Sequence, residues 1–146
     1  KANDLDARYI GTLTQVNSRM EELETLMDRR EDTAVDRTEY TVLEVVKEAY
    51  LRGIELEPPK VSKSQALKFE LNGEDNTLLA PYITTEGMGE SVALSLREAV
   101  DERELTSIED AENRTSLNQG IVETAKEHGF FEGLPDTENI DMFSPA

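Results

Sequence analysis

Apolar residues near the start of the chain recur at alternating intervals of four and three: Tyr9, Leu13, Val16, Met20, Leu23 and Met27. That spacing draws a narrow seam along a helix and predicts one helix over 3–30 that packs against another element. Asn3, Asp4 and Asp6 suit its N-terminal end, and Arg29 and Arg30 its C-terminal end. Gly11 is a weak point within it. After a polar connection over 31–36, a second helix is expected from Asp36, with Glu39 in the capping-box position. Val42, Leu43, Val46, Ala49 and Tyr50 form its inner face, and Gly53 is its C′ residue. The two faces predict an antiparallel pair.

Glu57-Pro58-Pro59-Lys60 cannot be helical and marks a break. Alternation over Ala66–Leu71, followed by Asn72-Gly73 and Thr77-Leu78-Leu79-Ala80, predicts a β-hairpin with a loop over 72–76. Leu67, Phe69 and Leu71 are expected to face inward. Pro81 suits the first position of a short helix through Thr85. The turn Gly87-Met88-Gly89 then opens into a helix from Glu90 to about Arg103, with Val92, Ala93, Leu96 and Val100 inward. Thr106-Ser107 and Ser116 cap two further helices. The second uses Leu117, Ile121, Val122 and Ala125, ends at Gly129, and leaves Phe130 and Phe131 to close the core. A tail follows, apolar only at Ile140, Met142 and Phe143. The expected fold is mainly α with one small β-hairpin. Residues 1–57 form an N-terminal helical pair, 58–133 a hairpin plus helix-hairpin-helix domain, and 134–146 a flexible C-terminal tail.

A Gly-x-Gly turn opening into a helix is a device for holding an anion. Glycine permits close backbone approach, and the first N–H groups of the helix face the turn with the positive end of its dipole. A helix-hairpin-helix uses such a turn to grip a phosphate without reading bases. The expected contacts are Gly87, Met88, Gly89, Glu90 and Ser91, with Arg97, Arg103 and Arg114 as further phosphate partners. Charge limits this picture. With 32 acidic and 15 basic residues the net charge is −17, so free-standing, high-affinity DNA binding is not expected. Any DNA role is local or assisted by a larger partner.

Catalytic chemistry is sparse. There is no Cys, hence neither a disulfide nor a thiolate site. His128 is the only histidine and suits the last turn of a helix. Asp101, Glu102, Glu104, Glu109, Asp110 and Glu112 are dense enough to imagine a Mg²⁺ site, but helical spacing spreads them around the surface. No Walker-type loop is present. No catalytic residue and no metal site is therefore assigned. No apolar run is long enough to cross a membrane as a helix. The opening Lys1-Ala2-Asn3-Asp4 is neither a signal peptide nor a translation start, which points to a piece of a longer protein.

Several stretches, in order, resemble one family. They are Asp4-Leu5-Asp6, Thr41-Val42-Leu43-Glu44-Val45 with Arg52-Gly53, Ser64, Phe69 and Leu79-Ala80-Pro81-Tyr82. Then come Gly87-Met88-Gly89 with Val92-Ala93-Leu94, Ser107 with Glu109-Asp110, Arg114, Gly129, Leu134-Pro135 and Ile140-Asp141-Met142-Phe143. The chain is similar to the C-terminal end of the PolC-type α subunit of bacterial DNA polymerase III. The resemblance implies that residues up to about Gly53 belong to the end of the polymerase fingers. It implies that Ser64 to Phe131 form a domain binding double-stranded DNA, and that Asn139, Ile140, Asp141, Met142 and Phe143 form the motif that docks in the sliding clamp. Asn139 stands where the family usually has Gln, Glu86 where it usually has Pro, and Glu98 and Val100 where it carries basic residues. The remainder of the polymerase chain is an implied partner, a cytoplasmic location is implied, and Mg²⁺ is expected for the whole enzyme with no cofactor in this segment. A competing reading is an acidic helical protein-interaction module that ignores DNA and binds through the Tyr9–Met27 seam.

Overall fold

The computed structural model describes residues 1–137, arranged as five α-helices and a small sheet. Helix α1 spans Leu13–Asp28 and α2 spans Ala34–Leu51. The first helix is shorter than the seam predicts. Thr12 is its N-cap, with Oγ1 accepting the Gln15 N–H at 3.1 Å, and two 3-10 turns, Ala2–Asp4 and Ala7–Tyr9, precede it. Gly11 sits in the break: a Cβ there would meet Gln15 Oε1 at 3.0 Å and Pro58 Cγ at 3.1 Å, so a side chain would fit only if these neighbours shifted. Val16, Met20 and Leu23 are buried as the seam requires, whereas Tyr9 lies outside the helix.

Helix α2 also starts earlier than expected. Thr33 and Asp36 form a reciprocal capping box, at 3.1 and 2.8 Å, one turn before the box anticipated at Asp36 and Glu39. Glu39 instead turns inward and accepts both Nε and Nη2 of Arg19 at 2.8 Å, a bidentate clamp between the helices. Glu24 accepts the Tyr40 hydroxyl at 2.6 Å, and the Tyr50 hydroxyl donates to the Ile10 carbonyl at the opposite end. Those contacts make the pair antiparallel, as the two apolar faces predict.

Three short strands follow: β1 (Glu55–Glu57), β2 (Glu70–Asn72) and β3 (Thr77–Leu79), in the order β1-β3-β2. Strands β2 and β3 make the expected antiparallel hairpin, pairing Glu70 with Leu79. The parallel partner β1, pairing Glu55 with Thr77, was not anticipated, because three residues are too few to show a period of two. Leu71 is exposed rather than inward. Its strand begins only at Glu70, so the alternation from Leu67 through Phe69 does not continue into it.

Helices α3 (Glu90–Glu102), α4 (Ile108–Arg114) and α5 (Gln119–Lys126) follow. The short helix expected after Pro81 is a 3-10 turn, Tyr82–Thr84, with Pro81 at its N-cap. The cap of α5 is Asn118, whose Oδ1 accepts the Ile121 N–H at 2.9 Å, and not Ser116. Two apolar clusters result. One joins α1 and α2 to Leu5, Ile10, Leu56 and Ala80, with Phe69 and Leu78 packed against it. The other gathers Val61, Tyr82, Met88, Leu96, Ile121, Val122, Phe130 and Phe131. Phe130 sits edge-on to Tyr82 and Phe131, at 5.2 and 4.8 Å between centroids, so the two phenylalanines do close this core.

Beyond α5 the chain crosses the start of α4. Pro135 and Asp136 carbonyls accept the Ile108 and Glu109 N–H groups at 2.9 and 3.0 Å. The five residues expected to bind a clamp, Asn139 to Phe143, lie outside the described residues.

Candidate nucleic-acid interface

The chain turns from sheet to helix through residues 80–89. Thr85 N–H donates to the Tyr82 carbonyl at 3.0 Å, and Met88 N–H to the Thr85 carbonyl at 3.0 Å. Gly87 has φ +84°, in the left-handed region that a side chain disfavours. Met88 is 3% exposed and anchors the turn in the second core. Its neighbours Gly87, Gly89, Glu90 and Ser91 are exposed. Of the five residues singled out from the sequence, Met88 faces the core and the other four are exposed.

Gly89 is the N-cap of α3, and no side chain caps that helix. At α1, α2, α4 and α5 the side-chain oxygens of Thr12, Thr33, Ser107 and Asn118 respectively each accept a backbone N–H of the first turn. The first N–H groups of an α-helix have no partner within it. At α3 they open onto solvent beside a residue with no Cβ. A Cβ at Gly89, where φ is −78°, would meet nothing within 4 Å. This is a backbone concavity that an anion can enter.

The electrostatics come from residues distant in sequence. The turn walls a groove of about 700 Å³, whose other side carries Asp6, Arg8, Tyr9, Arg19 and Glu39. Arg8 pairs with Asp6 at 2.7 Å, with Glu86 and with Glu127 at 3.3 Å. Its hydrogen bond to Asp6 outweighs partial burial and raises the guanidinium pKa further. Glu86, adjacent to Gly87, thus shares one cation from the N-terminal segment with Asp6 and Glu127, which offsets its charge only in part. Arg8 and Arg19 both lie over the Tyr9 ring, at 5.3 and 4.8 Å. No local pattern could have exposed Arg8, because its partners lie 78 and 119 residues away.

His128 lies under the turn. Its Nε2 is 3.4 Å from Thr85 Oγ1, and Nδ1 is buried without a partner among the described residues. Burial pushes its pKa down to about 4, with Lys60 and Arg8 adding to the shift against Asp6 and Glu127. It is a neutral packing residue at neutral pH.

Arg97 and Arg114 are committed elsewhere. Arg97 Nη1 donates to the Ser64 carbonyl at 2.7 Å and the Tyr82 hydroxyl at 3.2 Å, and its Nε and Nη2 hold Asp101. Arg114 reaches the Arg103 carbonyl at 3.3–3.4 Å, the Ala99 carbonyl, and Asp110 at 3.2 Å. Its contacts are at the end of α3 far from the turn. Burial pushes the Asp110 carboxyl up, but the Thr106 N–H and Arg114 outweigh it and hold the group below the usual range. Arg103 is 3.5 Å from Asp110 as well. The acidic stretch 101–112 is thus partly neutralised by arginines. Among the described residues, no group of three or more His, Asp or Glu is placed to hold a metal ion. No helix among them is long and apolar enough to cross a membrane.

No protein-family model matches the chain. Individual relatives do. A PolC-type DNA polymerase III of Streptococcus thermophilus is 34% identical over 143 residues, which is 98% of this chain and 10% of that protein. The PolC-type enzyme of Thermotoga petrophila is 40% identical over 107 residues, 73% of this chain and 8% of the relative. That of Staphylococcus aureus is 39% identical over 103 residues, covering 70% and 7%. The chain spans a tenth or less of the length of these curated relatives. Over nearly its whole length, then, this mainly helical chain is homologous to one small segment of PolC-type DNA polymerase III.

Proposed function

We propose that the chain is a non-catalytic segment of a replicative DNA polymerase, itself a nucleotidyltransferase. It holds duplex DNA by the backbone, independently of sequence, and tethers the enzyme to its sliding clamp. The 3-10 turn, the Gly87-Met88-Gly89 hairpin and α3 act as the helix-hairpin-helix unit. The observation that carries the reading is the uncapped, exposed start of α3 behind Gly89. Backbone N–H groups there donate to a phosphate oxygen, and Arg8 partly offsets the carboxylate of Glu86. Arg97 and Arg114 serve the interface by bracing α3. The tail residues Asn139 to Phe143 supply the clamp contact, an extended apolar motif entering a partner's pocket. Two weak attachments on one chain raise the effective concentration of each, so together they hold the enzyme on DNA better than either alone.

Titration of the full-length polymerase with duplex DNA and, separately, with a bacterial clamp ring tests this. Gly87→Val is expected to weaken duplex binding, and Met142→Ala with Phe143→Ala to abolish clamp binding. Unchanged duplex affinity would reduce the hairpin to a joint, and unchanged clamp affinity would remove the tail assignment.

A further inference from the structure

Helix α2 carries more apolar surface than the described residues cover. Leu43 and Val46 are buried in the first core. A second set, Ala34, Val35, Thr38, Thr41, Val42 and Val45, recurs at intervals of three and four. At 3.6 residues per turn these side chains fall within about 120° of the helix circumference, adjoining the buried face. Val42 is half-buried and the others are exposed. Val35, at 75%, and Val45, at 68%, are the most exposed large apolar side chains among the described residues. The two threonines add methyl groups to the face more than polarity. Thr38 Oγ1 donates to the Ala34 carbonyl and Thr41 Oγ1 to the Arg37 carbonyl, both at 3.1 Å. Arg37, at the edge of the set, is held by Asp32 at 2.7 Å. A shallow groove of about 400 Å³ runs between Ala34, Thr38, Thr41 and Val42.

Contact with solvent does not account for this face. The exposed positions of α1 are all polar or charged. On α2 the exposed Val35, Thr38, Thr41 and Val45 are β-branched, which lowers helix propensity without burial to offset it. A helix that is apolar on adjoining faces is one covered on both. Recurrence at three and four is the pattern of a helix that packs along another helix.

We infer that this face of α2 seats a second helix, supplied by polymerase polypeptide outside residues 1–146. The inference rests on the polymerase-segment reading above. The size of the face decides the occupant. From Val35 to Val45 it is about 15 Å long and one helix, about 10 Å, wide. A stable interface between separate proteins buries about 800 Å² on each partner, which a strip of this size does not reach. A contact within one polypeptide escapes that requirement, because the covalent link already holds the partner at high effective concentration. The relatives contain such polypeptide in abundance: the segment matched in the Streptococcus thermophilus protein is 10% of its length. Asn3 and Asp4 line one groove with Val35 and Thr38, so polypeptide leading into residue 1 arrives beside the face. The face offers a phosphate no free cation, which sets DNA aside as its occupant.

Two measurements on the full-length polymerase test this. A photo-crosslinking amino acid in place of Val45 is expected to join peptides of the same polypeptide outside residues 1–146. Val35→Cys and Val45→Cys, followed by peptide mass spectrometry, are expected to react with a maleimide about tenfold more slowly than Glu44→Cys on the other side of the same helix. Equal rates at Val45→Cys and Glu44→Cys would overturn the inference. Crosslinks to a second polymerase molecule or to the clamp would also overturn it. Its failure is separable from that of the duplex-binding reading. If Val45→Cys reacts freely while Gly87→Val weakens duplex binding, the seat on α2 falls and the turn stands. If Val45→Cys is protected while Gly87→Val leaves duplex affinity unchanged, the seat stands and the duplex contact falls.

Discussion

His128 shows how one buried side chain sets a pH window for the fold beneath the turn. Its folded pKa of about 4 lies below the ordinary value of 6.5. Between those values the unfolded chain binds a proton that the folded chain refuses, so stability rises with pH across the window. The contribution is complete above about pH 6.5 and is lost as pH falls toward 4. Asp110, Asp36 and Glu132 have depressed pKa values, and their losses come at lower pH. His128→Gln is therefore expected to flatten urea-unfolding stability between pH 6.5 and 4 while leaving the fall at lower pH. A wild-type slope in the variant would show that another group titrates there.

The elements around the turn depend on Arg97 more than on any local propensity. One guanidinium joins the buried Ser64 carbonyl, Tyr82 of the 3-10 turn and Asp101 of α3. Removing it leaves a buried carbonyl without its charged donor, at a cost of about 1–3 kcal/mol. Arg97→Ala is expected to lower the urea midpoint accordingly, and Arg97→Lys to recover little, since an ammonium cannot span three acceptors in a planar fork. Full recovery by lysine would argue against the bracing role. This residue also shows what was legible in the sequence. Its helix, the seam of α1, the face of α2 and the closing phenylalanines follow from apolar periodicity, because burial enforces it. The role of Arg97 does not, because two of its partners, Ser64 and Tyr82, lie 33 and 15 residues away, outside its helix. The same holds for β1, whose pairing is tertiary, and for the break at Gly11, which answers to Pro58 across the fold. In the candidate site the glycines and their helix were readable; the cation that pairs with Glu86 was not, since only folding brings Arg8 to it.

At the scale of the molecule, the proposed function asks a strongly acidic chain to hold an anion. The structure offers a local feature: an uncapped helix start with a neighbouring carboxylate drawn to Arg8. Homology to a segment of a replicative polymerase gives that feature a purpose, since sequence-independent backbone contact suits an enzyme that copies any template. The central claim is that the open amides of α3 bind DNA. The most direct measurement compares stability and duplex affinity for Gly89→Asn in the full-length polymerase. Asparagine is a good N-cap at this conformation, meets no steric obstacle, and adds no charge. It is expected to stabilise the fold by a few tenths of a kcal/mol while weakening duplex binding several-fold, because its own side chain occupies the amides. A variant that gains stability and binds duplex DNA as tightly as the wild type would contradict the account.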